Sequence, residues 1–328
     1  MVLLTDAGAP AVTKPLASFV LVAYNQAPYI REAVAAAFAQ TYTPLEIVLC
    51  DDHSSDGTAR IIREMAEAYQ GPHRLVFDLS EHNVGNTVRI NRGIGIAAGS
   101  FIVLAAGDDI SRADRVAVLV DAWQAAGCRN VSIFSAYDEI DSEGRFVATR
   151  VDDFAEEPNL HRLMNTRMYS LVGATHAFAK PVYERFGPIL TRNAYEDRVI
   201  AFRAALLDGV HYVREPLVSY RRHENAASIG RLSGDKLCYK LKELEVASSI
   251  YLNYMKDLQL HAARDPQAVT YDLQQTACDL YLKNRRRLSL LKMASRRTRV
   301  AFVLRHWLKI RFLLADLFIS LAPGKYLG

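Results

Sequence analysis

Residues 99–109 have the sequence GSFIVLAAGDD, and this stretch decides the fold. Its four consecutive apolar residues, 101–104, predict a buried strand. Small residues then carry the chain to two adjacent carboxylates, Asp108 and Asp109. Because neighbouring side chains diverge, we expect this pair to have two tasks, one on a divalent cation and one on a sugar or a metal-bound water. A simple turn after the strand is the alternative explanation.

Three apolar runs precede this strand and alternate with predicted helices. We expect strands at residues 18–23, 45–50 and 75–77, and helices at 29–40, 58–69 and 86–98. This alternation is typical of a mainly parallel sheet covered by helices, in which ligands bind beyond the carboxyl ends of the strands. Three of the four strands end there in polar residues, which are Asn25, then Asp51 with Asp52, then Asp108 with Asp109.

The second half of the chain predicts a mixed continuation of the sheet. We expect a helix at 115–126, a strand at 131–136, a polar hairpin at 137–146, a short small-residue segment at 173–179, a helix at 196–209 and a strand at 212–220. The last of these helices begins with Asp197, and the helix dipole alone would favour a carboxylate there. The last strand leads into His223, for which a structural role is an open alternative. Further helices at 232–255 and 271–282 would pack on the rest of the chain or on a second subunit.

Composition indicates an ordinary globular protein in a reducing compartment. Of the 328 residues, 50% are hydrophobic and 23% are charged. The four cysteines, Cys50, Cys128, Cys238 and Cys278, have no CxxC or metal spacing, so we expect free thiols, with Cys50 in the core, and no zinc site. Residues 1–15 lack the basic start and the long apolar run of a secretory signal. We therefore expect a cytoplasmic protein.

Charge is distributed unevenly along the chain. The net charge is +4, but the residues from 283 onward contain twelve Lys and Arg and one acidic residue, a net of +11, so residues 1–282 carry −7. Charges interrupt the apolar segment 300–322 too often for a spanning helix. We expect it to lie in the plane of an anionic membrane, at the inner face of the cell membrane, or else to pack in a homodimer formed through the C-terminal helices. Nucleic acid is not expected, because there is no recognition motif or stacking pattern.

Two common phosphate-binding motifs are absent from the sequence. No GxGxxG follows the first strand, and no GxxxxGK[ST] occurs anywhere in the chain. A bound diphosphate would therefore need a cation, which gives Asp108 and Asp109 a purpose.

Six strings, spread in order over about residues 16–228, identify a family. They are FVLVAYN, EIVLCDDHSSDGT, HNVGNTVRINRGI, AAGSFIVLAAGDD, YEDR and YRRHENAAS. Together they resemble the inverting nucleotide-sugar glycosyltransferases of family 2, which have the GT-A fold. The resemblance implies an α/β, Rossmann-like, mostly parallel but mixed sheet flanked by helices, with a C-terminal helical extension.

The resemblance also implies a division of the chain and roles for single residues. We expect a catalytic domain at 1–230, with the nucleotide sugar at about 16–125 and the acceptor at about 126–230, followed by a basic helical region at 231–328. By position, the nucleobase would be held by Ala23, Tyr24, Asn25 and Asp52. Asp108 and Asp109 would form the DxD-type motif at the ribose and at Mn²⁺ or Mg²⁺. His223 would lie near the metal and diphosphate, and Asp197 would be the catalytic base. His53 departs from the family pattern, in which a smaller residue is usual.

The expected chemistry is consistent with these residues. Asp52 could accept a hydrogen bond from the N3–H of a pyrimidine, which adenine lacks, so we expect a UDP or dTDP sugar as donor. A single displacement by an acceptor hydroxyl, whose proton passes to a carboxylate, inverts the anomeric centre. The expected acceptor is a glycan or a lipid-linked glycan in the synthesis of surface polysaccharide.

Two other functions remain open at this point. A nucleotidyltransferase that makes sugar nucleotides would be expected to have a Gly-rich, basic loop after the first strand. The loop at 23–29, AYNQAPY, contains neither glycine nor a basic residue. A non-catalytic scaffold would be expected to lose its site carboxylates, whereas Asp52, Asp108, Asp109 and Asp197 are all present.

Overall fold

The structure is a computed structural model and describes residues 14–152, 160–164, 171–223, 236–267 and 269–293. The strands are β1 (Ala17–Ala23), β2 (Leu45–Asp51), β3 (Arg74–Leu79), β4 (Phe101–Ala106), β5 (Ile110–Ser111), β6 (Ser132–Ile140), β7 (Phe146–Arg150), β8 (Ala177–Ala179) and β9 (Val210–Arg221). The helices are α1 (Ile30–Phe38), α2 (Thr58–Glu67), α3 (Asn86–Ile96), α4 (Arg115–Ala125), α5 (Leu160–Met164), α6 (Lys180–Phe186), α7 (Glu196–Ala205), α8 (Lys236–Ala262) and α9 (Tyr271–Lys292), with a 3₁₀ turn at Gly173–Thr175.

Within the described ranges all strands belong to one sheet, in the order β3-β2-β1-β4-β8-β6-β9-β5, with β7 paired to β6. The first half of this order is parallel, and every residue of β2 is buried because helices cover both faces. Ala23 pairs with Asp51, and Val22 pairs with Ala106. The carboxyl ends of β1, β2 and β4 therefore lie level at one edge, as the alternation of strands and helices predicts.

The second half of the sheet is mixed, which confirms the predicted change of direction. Strand β8 is antiparallel to both β4 and β6, and β9 runs parallel to β6. The short strand β5 pairs with the end of β9, so that Ile110 lies opposite Ser219. This pairing brings the residues after β9 beside the carboxylates that follow β4.

One apolar cluster unites the sheet with the helices around it. Phe19, Phe101 and Phe134 are its large sheet residues, and Cys50 is fully buried in it as predicted. Full burial of such side chains contributes about 1.5–3 kcal/mol each. Tyr254 of α8 belongs to the same cluster, so this C-terminal helix packs on the sheet domain.

Several elements differ from the sequence prediction. The polar hairpin expected at 137–146 is confirmed, but its arms are longer: β6 continues to Ile140, and β7, paired antiparallel to it, runs on to Arg150. Helix α6 was not predicted; it begins with a proline in its first turn. Helix α9 extends ten residues past Leu282 because its later leucines pack on α8.

The C-terminal predictions fall partly on residues that the structure does not describe. Residues 232–235 of the expected first C-terminal helix and the whole apolar segment 300–322 lie outside the described ranges. In the part of the chain that is described, no helix has the length and apolar character needed to cross a membrane. The domain boundary at residue 230 stays a prediction.

Candidate active site

The site is built at the carboxyl edge of β1, β2 and β4. The backbone N–H of Asp52 donates to Ala23 O at 3.0 Å, and that of Gly107 donates to Val22 O at 3.0 Å, so the three strand ends are joined. A side chain at Gly107 would collide with the loop after β1, since its Cβ would lie 2.6 Å from Gln26 Oε1. Glycine at position 107 therefore leaves room for the side chains of Ala23, Gln26 and Ile30.

The loop after β1 is held by the loop after β2. Asn25 has a left-handed backbone, with φ of 51°, and its N–H donates to Ser54 Oγ at 2.8 Å while its Oδ1 accepts from Ser55 N–H at 2.8 Å. Tyr24 stands out from this loop with 49% of its surface exposed. Of the residues predicted to hold the nucleobase, Tyr24 and Asn25 are thus exposed and next to each other, while Ala23 is buried in β1.

The Asp52 carboxylate already has backbone partners. Its Oδ1 accepts from Val84 N–H at 2.9 Å and its Oδ2 from Gly85 N–H at 2.8 Å, and the residue is only 3% exposed. These bonds fix the loop that leads into α3 and satisfy N–H groups at the helix start. A nucleobase contact of Asp52 would use a remaining lone pair, and its assignment to the base stays a prediction.

The two carboxylates after β4 have different surroundings, as expected for a diverging pair. Asp108 Oδ2 lies 3.0 Å from His223 Nε2, so the structure brings these two predicted residues together. Asp109 is buried, and its Oδ1 accepts from the backbone N–H of Arg221 at 2.8 Å. Among the described residues Asp109 Oδ2 has no hydrogen-bond partner.

Arg221 organises the metal side of the site. This fully buried guanidinium donates from Nε to Asp108 O at 3.0 Å and from Nη2 to Glu32 Oε2 at 2.6 Å. It also lies 4.8 Å from the ring centre of Tyr29, whose ring is 4.7 Å from that of His223. Arg221, two positions before His223, thereby connects Glu32 of α1 with the residues that follow β4.

Burial and charge set the protonation of Asp109. Burial away from water is the largest effect on Asp109, and the charge of the neighbouring Asp108 carboxylate is the second. Both raise the pKa of Asp109 well above its usual range. Arg115, itself fully buried, opposes that shift, and burial lowers the pKa of Arg115 to about 9.

The oxygen and imidazole donors here are ones that Mg²⁺ and Mn²⁺ accept, and the unpartnered Asp109 Oδ2 is available to such a cation. No set of three or more His, Cys, Asp or Glu side chains in the described ranges is already arranged around one metal position.

Glu196 and Asp197 form a second acidic pair at the start of α7. Burial raises the pKa of both carboxyls, and the Asp197 charge adds to the effect on Glu196, whose pKa rises to about 8. Two backbone donors act only on Asp197: Arg198 N–H, at 2.6 Å from Oδ1, and Gly173 N–H. Hydrogen bonds to a carboxylate favour its charged form, so Asp197 carries the charge of the pair.

The 3₁₀ turn links the two acidic pairs. Arg115 Nη2 donates to Leu104 O of β4 and to Ala174 O of the turn, both at 2.8 Å, and the preceding Gly173 N–H donates to Asp197. A Cβ on Gly173 would lie 2.5 Å from Glu196 Oε1, so only glycine admits this approach without moving that carboxylate.

Sequence reasoning missed Arg115, Gly173 and Arg221. Each is part of a buried contact between distant segments, and an arginine in a helix or strand is usually at the surface. Only its place two residues before His223 marked Arg221 in the sequence.

Comparisons with known proteins agree with this architecture. The family model described as Glycosyl transferase family 2 matches residues 18–180. Glycosyltransferase GlyG of Streptococcus pneumoniae serotype 4 is 28% identical over 221 residues, which cover 64% of this chain and 72% of GlyG. The succinoglycan biosynthesis protein ExoO of Rhizobium meliloti is 28% identical over 240 residues, or 68% of this chain and 65% of ExoO.

Solved structures show the same fold. S. aureus TarS in complex with UDP-GlcNAc gives a TM-score of 0.58 at 16% identity, covering 93% of this chain and 88% of that one. The mannosyltransferase PcManGT of Pyrobaculum calidifontis in complex with GDP-Man and Mn²⁺ gives 0.54 at 18% identity, covering 96% of this chain and 89% of that one. The fold is therefore GT-A, as the sequence motifs predict.

Proposed function

We propose, starting from the fact that the chain belongs to glycosyltransferase family 2, that it transfers a sugar with inversion from a UDP or dTDP sugar to an acceptor hydroxyl of a glycan or lipid-linked glycan. The observation that carries this proposal is that the ends of β1, β2 and β4 meet the end of β9 at one edge of the sheet. There Asp108 Oδ2 lies 3.0 Å from His223 Nε2, and Asp109 Oδ1 accepts from Arg221 N–H at 2.8 Å. Synthesis of surface polysaccharide is supported by the similarity to ExoO, a succinoglycan biosynthesis protein.

The donor would lie across the ends of β1, β2 and β4. Tyr24, exposed and aromatic, offers a face for a nucleobase, and Ala23, Asn25 and Asp52 line the adjoining loops. Asp108 would bind the ribose. Structural relatives bind UDP-GlcNAc in one case and GDP-Man with Mn²⁺ in another, which supports a nucleoside diphosphate sugar as the donor class.

A divalent cation would be held by Asp109 with help from Asp108 and His223. Mg²⁺ in phosphate sites is commonly bound by one or two carboxylates together with substrate phosphates. The cation supplies positive charge against the diphosphate as it leaves. The protein's own contribution is to hold these side chains in place through Arg221 and Arg115.

The transfer step follows from the charge on Asp197. The acceptor oxygen forms a bond to the anomeric carbon from the face opposite the nucleotide, while the bond from that carbon to the diphosphate oxygen breaks. The hydroxyl proton passes to the Asp197 carboxylate, and the nucleoside diphosphate leaves with the bonding electron pair. Glu196, neutral beside it, leaves Asp197 as the proton acceptor of the pair.

The test is a thermal-shift panel of UDP, dTDP, GDP and ADP, each with Mn²⁺, Mg²⁺ or EDTA. Ligand at a hundred times its Kd stabilises the fold by about 2.7 kcal/mol, so a true donor nucleotide gives a clear rise in Tm. We expect UDP or dTDP to act with a cation and ADP to have no effect. An equal shift in EDTA would contradict the cation assignment, and a response to GDP alone would contradict the pyrimidine assignment.

A further inference from the structure

The segment between α6 and α7, residues 187–195, leads directly into Glu196 and Asp197. It contains neither helix nor strand. Its path is set instead by hydrogen bonds to α3 and α8, two helices that are far apart in the sequence. Helix α8 lies outside residues 18–180, the part of the chain that the family model matches.

Two asparagines bind consecutive residues of this segment. Asn91 of α3 donates from Nδ2 to Ile189 O at 2.9 Å, and its Oδ1 accepts from Ile189 N–H at 3.0 Å. Asn253 of α8 accepts from Leu190 N–H at 2.7 Å and donates to Leu190 O at 2.9 Å. A side-chain amide carries a donor and an acceptor together, so each asparagine satisfies both backbone groups of one residue.

Burial of the Asn253 side chain makes it unfavourable to break its hydrogen bonds to the segment. Asn253 is 0% exposed, and its Nδ2 also donates to Ser249 O at 2.8 Å within α8. If the segment moved away from α8, the buried Asn253 side chain would lose both of its hydrogen bonds to Leu190, which is unfavourable. The segment therefore has one preferred position relative to the two helices.

The remainder of the segment is held from the nucleotide side. Thr87 Oγ1 of α3 lies 3.0 Å from Arg192 O and 2.7 Å from Ala194 O. Helix α3 begins after Gly85, whose N–H binds the Asp52 carboxylate. The start of α7 is thus fixed by α3, which borders the nucleotide loops, and by α8.

We propose that Asn253 and Asn91 are positioning residues that fix the start of α7 and so set the distance from Asp197 to the acceptor hydroxyl. The proposal rests on the proposed function, because it takes Asp197 as the base. It makes the C-terminal helix α8 part of the catalytic unit.

The reason is the short range of proton transfer. A base must lie within about 2.6–3.2 Å of the hydroxyl that it deprotonates. A misplacement of about 1 Å can lower the rate about 100-fold. Donor binding at β1, β2 and β4 should be insensitive to the same shift, because the hydrogen bonds of Asn253 go to Leu190 and to Ser249.

The experiment compares Asn253→Ala and Asn91→Ala with Tyr251→Phe in the full chain. Tyr251→Phe is the matched control, since it removes a 2.8 Å hydrogen bond from α8 to Met164 O, which lies outside the segment 187–195. The measurements are UDP release with UDP-GlcNAc and Mn²⁺ as the probe, the Kd of UDP by calorimetry, and amide hydrogen exchange of residues 187–200.

We expect Asn253→Ala to lower UDP release about 10- to 100-fold while the Kd of UDP changes less than about twofold. Exchange should rise in 187–200 and stay unchanged in β1 to β4. Asn91→Ala, on a half-buried position, should act in the same direction and serves as the test if Asn253→Ala does not fold. A rate within about twofold of that of Tyr251→Phe, or a weaker UDP affinity that accounts for the lost rate, would overturn the proposal.

A double variant separates this proposal from the base assignment. If Asn253 acts through Asp197, adding Asn253→Ala to Asp197→Asn should change the residual rate less than about twofold, because the group that it positions is gone. An equal fold-loss in both backgrounds would show a different role. Near wild-type UDP release by Asp197→Asn would remove the base assignment and this proposal together, whereas a defective Asp197→Asn with a silent Asn253→Ala overturns the positioning role alone.

Discussion

At the residue scale, the acidic pair at the start of α7 is the most informative feature. A helix-start carboxylate needs only the dipole, but Asp197 also receives the N–H groups of Arg198 and Gly173 beside a second carboxyl. A position that serves only the helix start would not require a glycine at 173, where an added Cβ would lie 2.5 Å from Glu196 Oε1. These hydrogen bonds and the nearby Arg198 charge lower the pKa of Asp197 and oppose the rise that burial causes.

Asp197→Asn separates the two roles of this residue. If Asp197 only begins the helix, the change is nearly silent, since the dipole interaction amounts to about 0.3–1 kcal/mol and Asn is also favoured at helix starts. If it is the base, transfer falls about 10²- to 10⁴-fold while donor affinity is retained. The measurements are the transfer rate and the donor Kd of Asp197→Asn. A transfer rate near that of the wild type would exclude Asp197 as the base and make Glu196 the next candidate for that role.

Asp109→Asn tests the cation site. Removing one charged oxygen ligand should abolish the part of UDP affinity that depends on Mn²⁺. Calorimetry of UDP with Mn²⁺ and with EDTA measures this difference. Asp114→Asn, on the exposed surface after β5, is the control and should keep it. Full activity of the wild-type protein in EDTA would disprove the assignment.

Glu196→Gln tests the raised pKa of the pair. The folded protein holds the Glu196 proton up to about pH 8, whereas the unfolded chain releases it near the ordinary Glu value. Stability from this proton is therefore complete below the ordinary value and is lost as the pH rises toward the folded one. We expect Glu196→Gln to flatten the fall of Tm over that window, while Glu67→Gln, on the exposed face of α2, leaves it unchanged. Parallel curves for wild type and Glu196→Gln would contradict the shift.

At the scale of elements, α7 and α8 are joined by a buried ion pair. Arg203 Nε donates to Asp257 Oδ2 at 2.8 Å, and both side chains are 0% exposed. Next to it the Phe202 and Tyr254 rings stack at 3.9 Å. A helix from the C-terminal region thus packs against the helix that carries the acidic pair.

Asp257→Asn is expected to destabilise the fold by about 3–5 kcal/mol, because it leaves the Arg203 charge buried without its partner. The double variant Arg203→Met with Asp257→Leu should recover most of this loss, since two apolar residues replace the pair. Glu243→Gln, in an exposed pair on α8, should cost less than about 1 kcal/mol. Urea unfolding midpoints measure the stability change of all three variants. A loss of less than about 1 kcal/mol for Asp257→Asn would mean that water reaches the ion pair.

At the scale of the whole molecule, the two ends of the chain differ in charge. Residues 1–282 carry −7 and the rest carry +11. The described part of that basic region is the end of α9, where Arg285 is exposed. A surface of this sign attracts anionic lipid headgroups.

Ending the chain after Met293 removes seven Lys and Arg and one Asp and keeps every described residue. We expect the shortened protein to lose sedimentation with vesicles of anionic lipid while UDP binding is unchanged. Vesicles of neutral lipid, and high salt with anionic vesicles, are the controls and should bind neither protein. Equal binding of both proteins to anionic vesicles would exclude a membrane role for residues 294–328.

Sequence alone determined the local elements and the parallel half of the sheet. Apolar runs such as 45–50 and 101–104 are nearly continuous over a few residues, so burial and strand type are visible in them. The end of each run marked Asn25, Asp52 and Asp108, because ligand sites of parallel sheets lie at strand ends. The ordered motifs identified the family and the GT-A fold.

Only the tertiary structure decided which groups face one another. The contacts of Arg221 with Asp108, of Gly173 with Glu196 and of Asn253 with Leu190 join residues 23 to 113 positions apart. No local pattern encodes such pairs, since they depend on the register of β9 and on how α8 packs against α7. A buried arginine or asparagine has the same local sequence signal as an exposed one, and packing alone decides which it is.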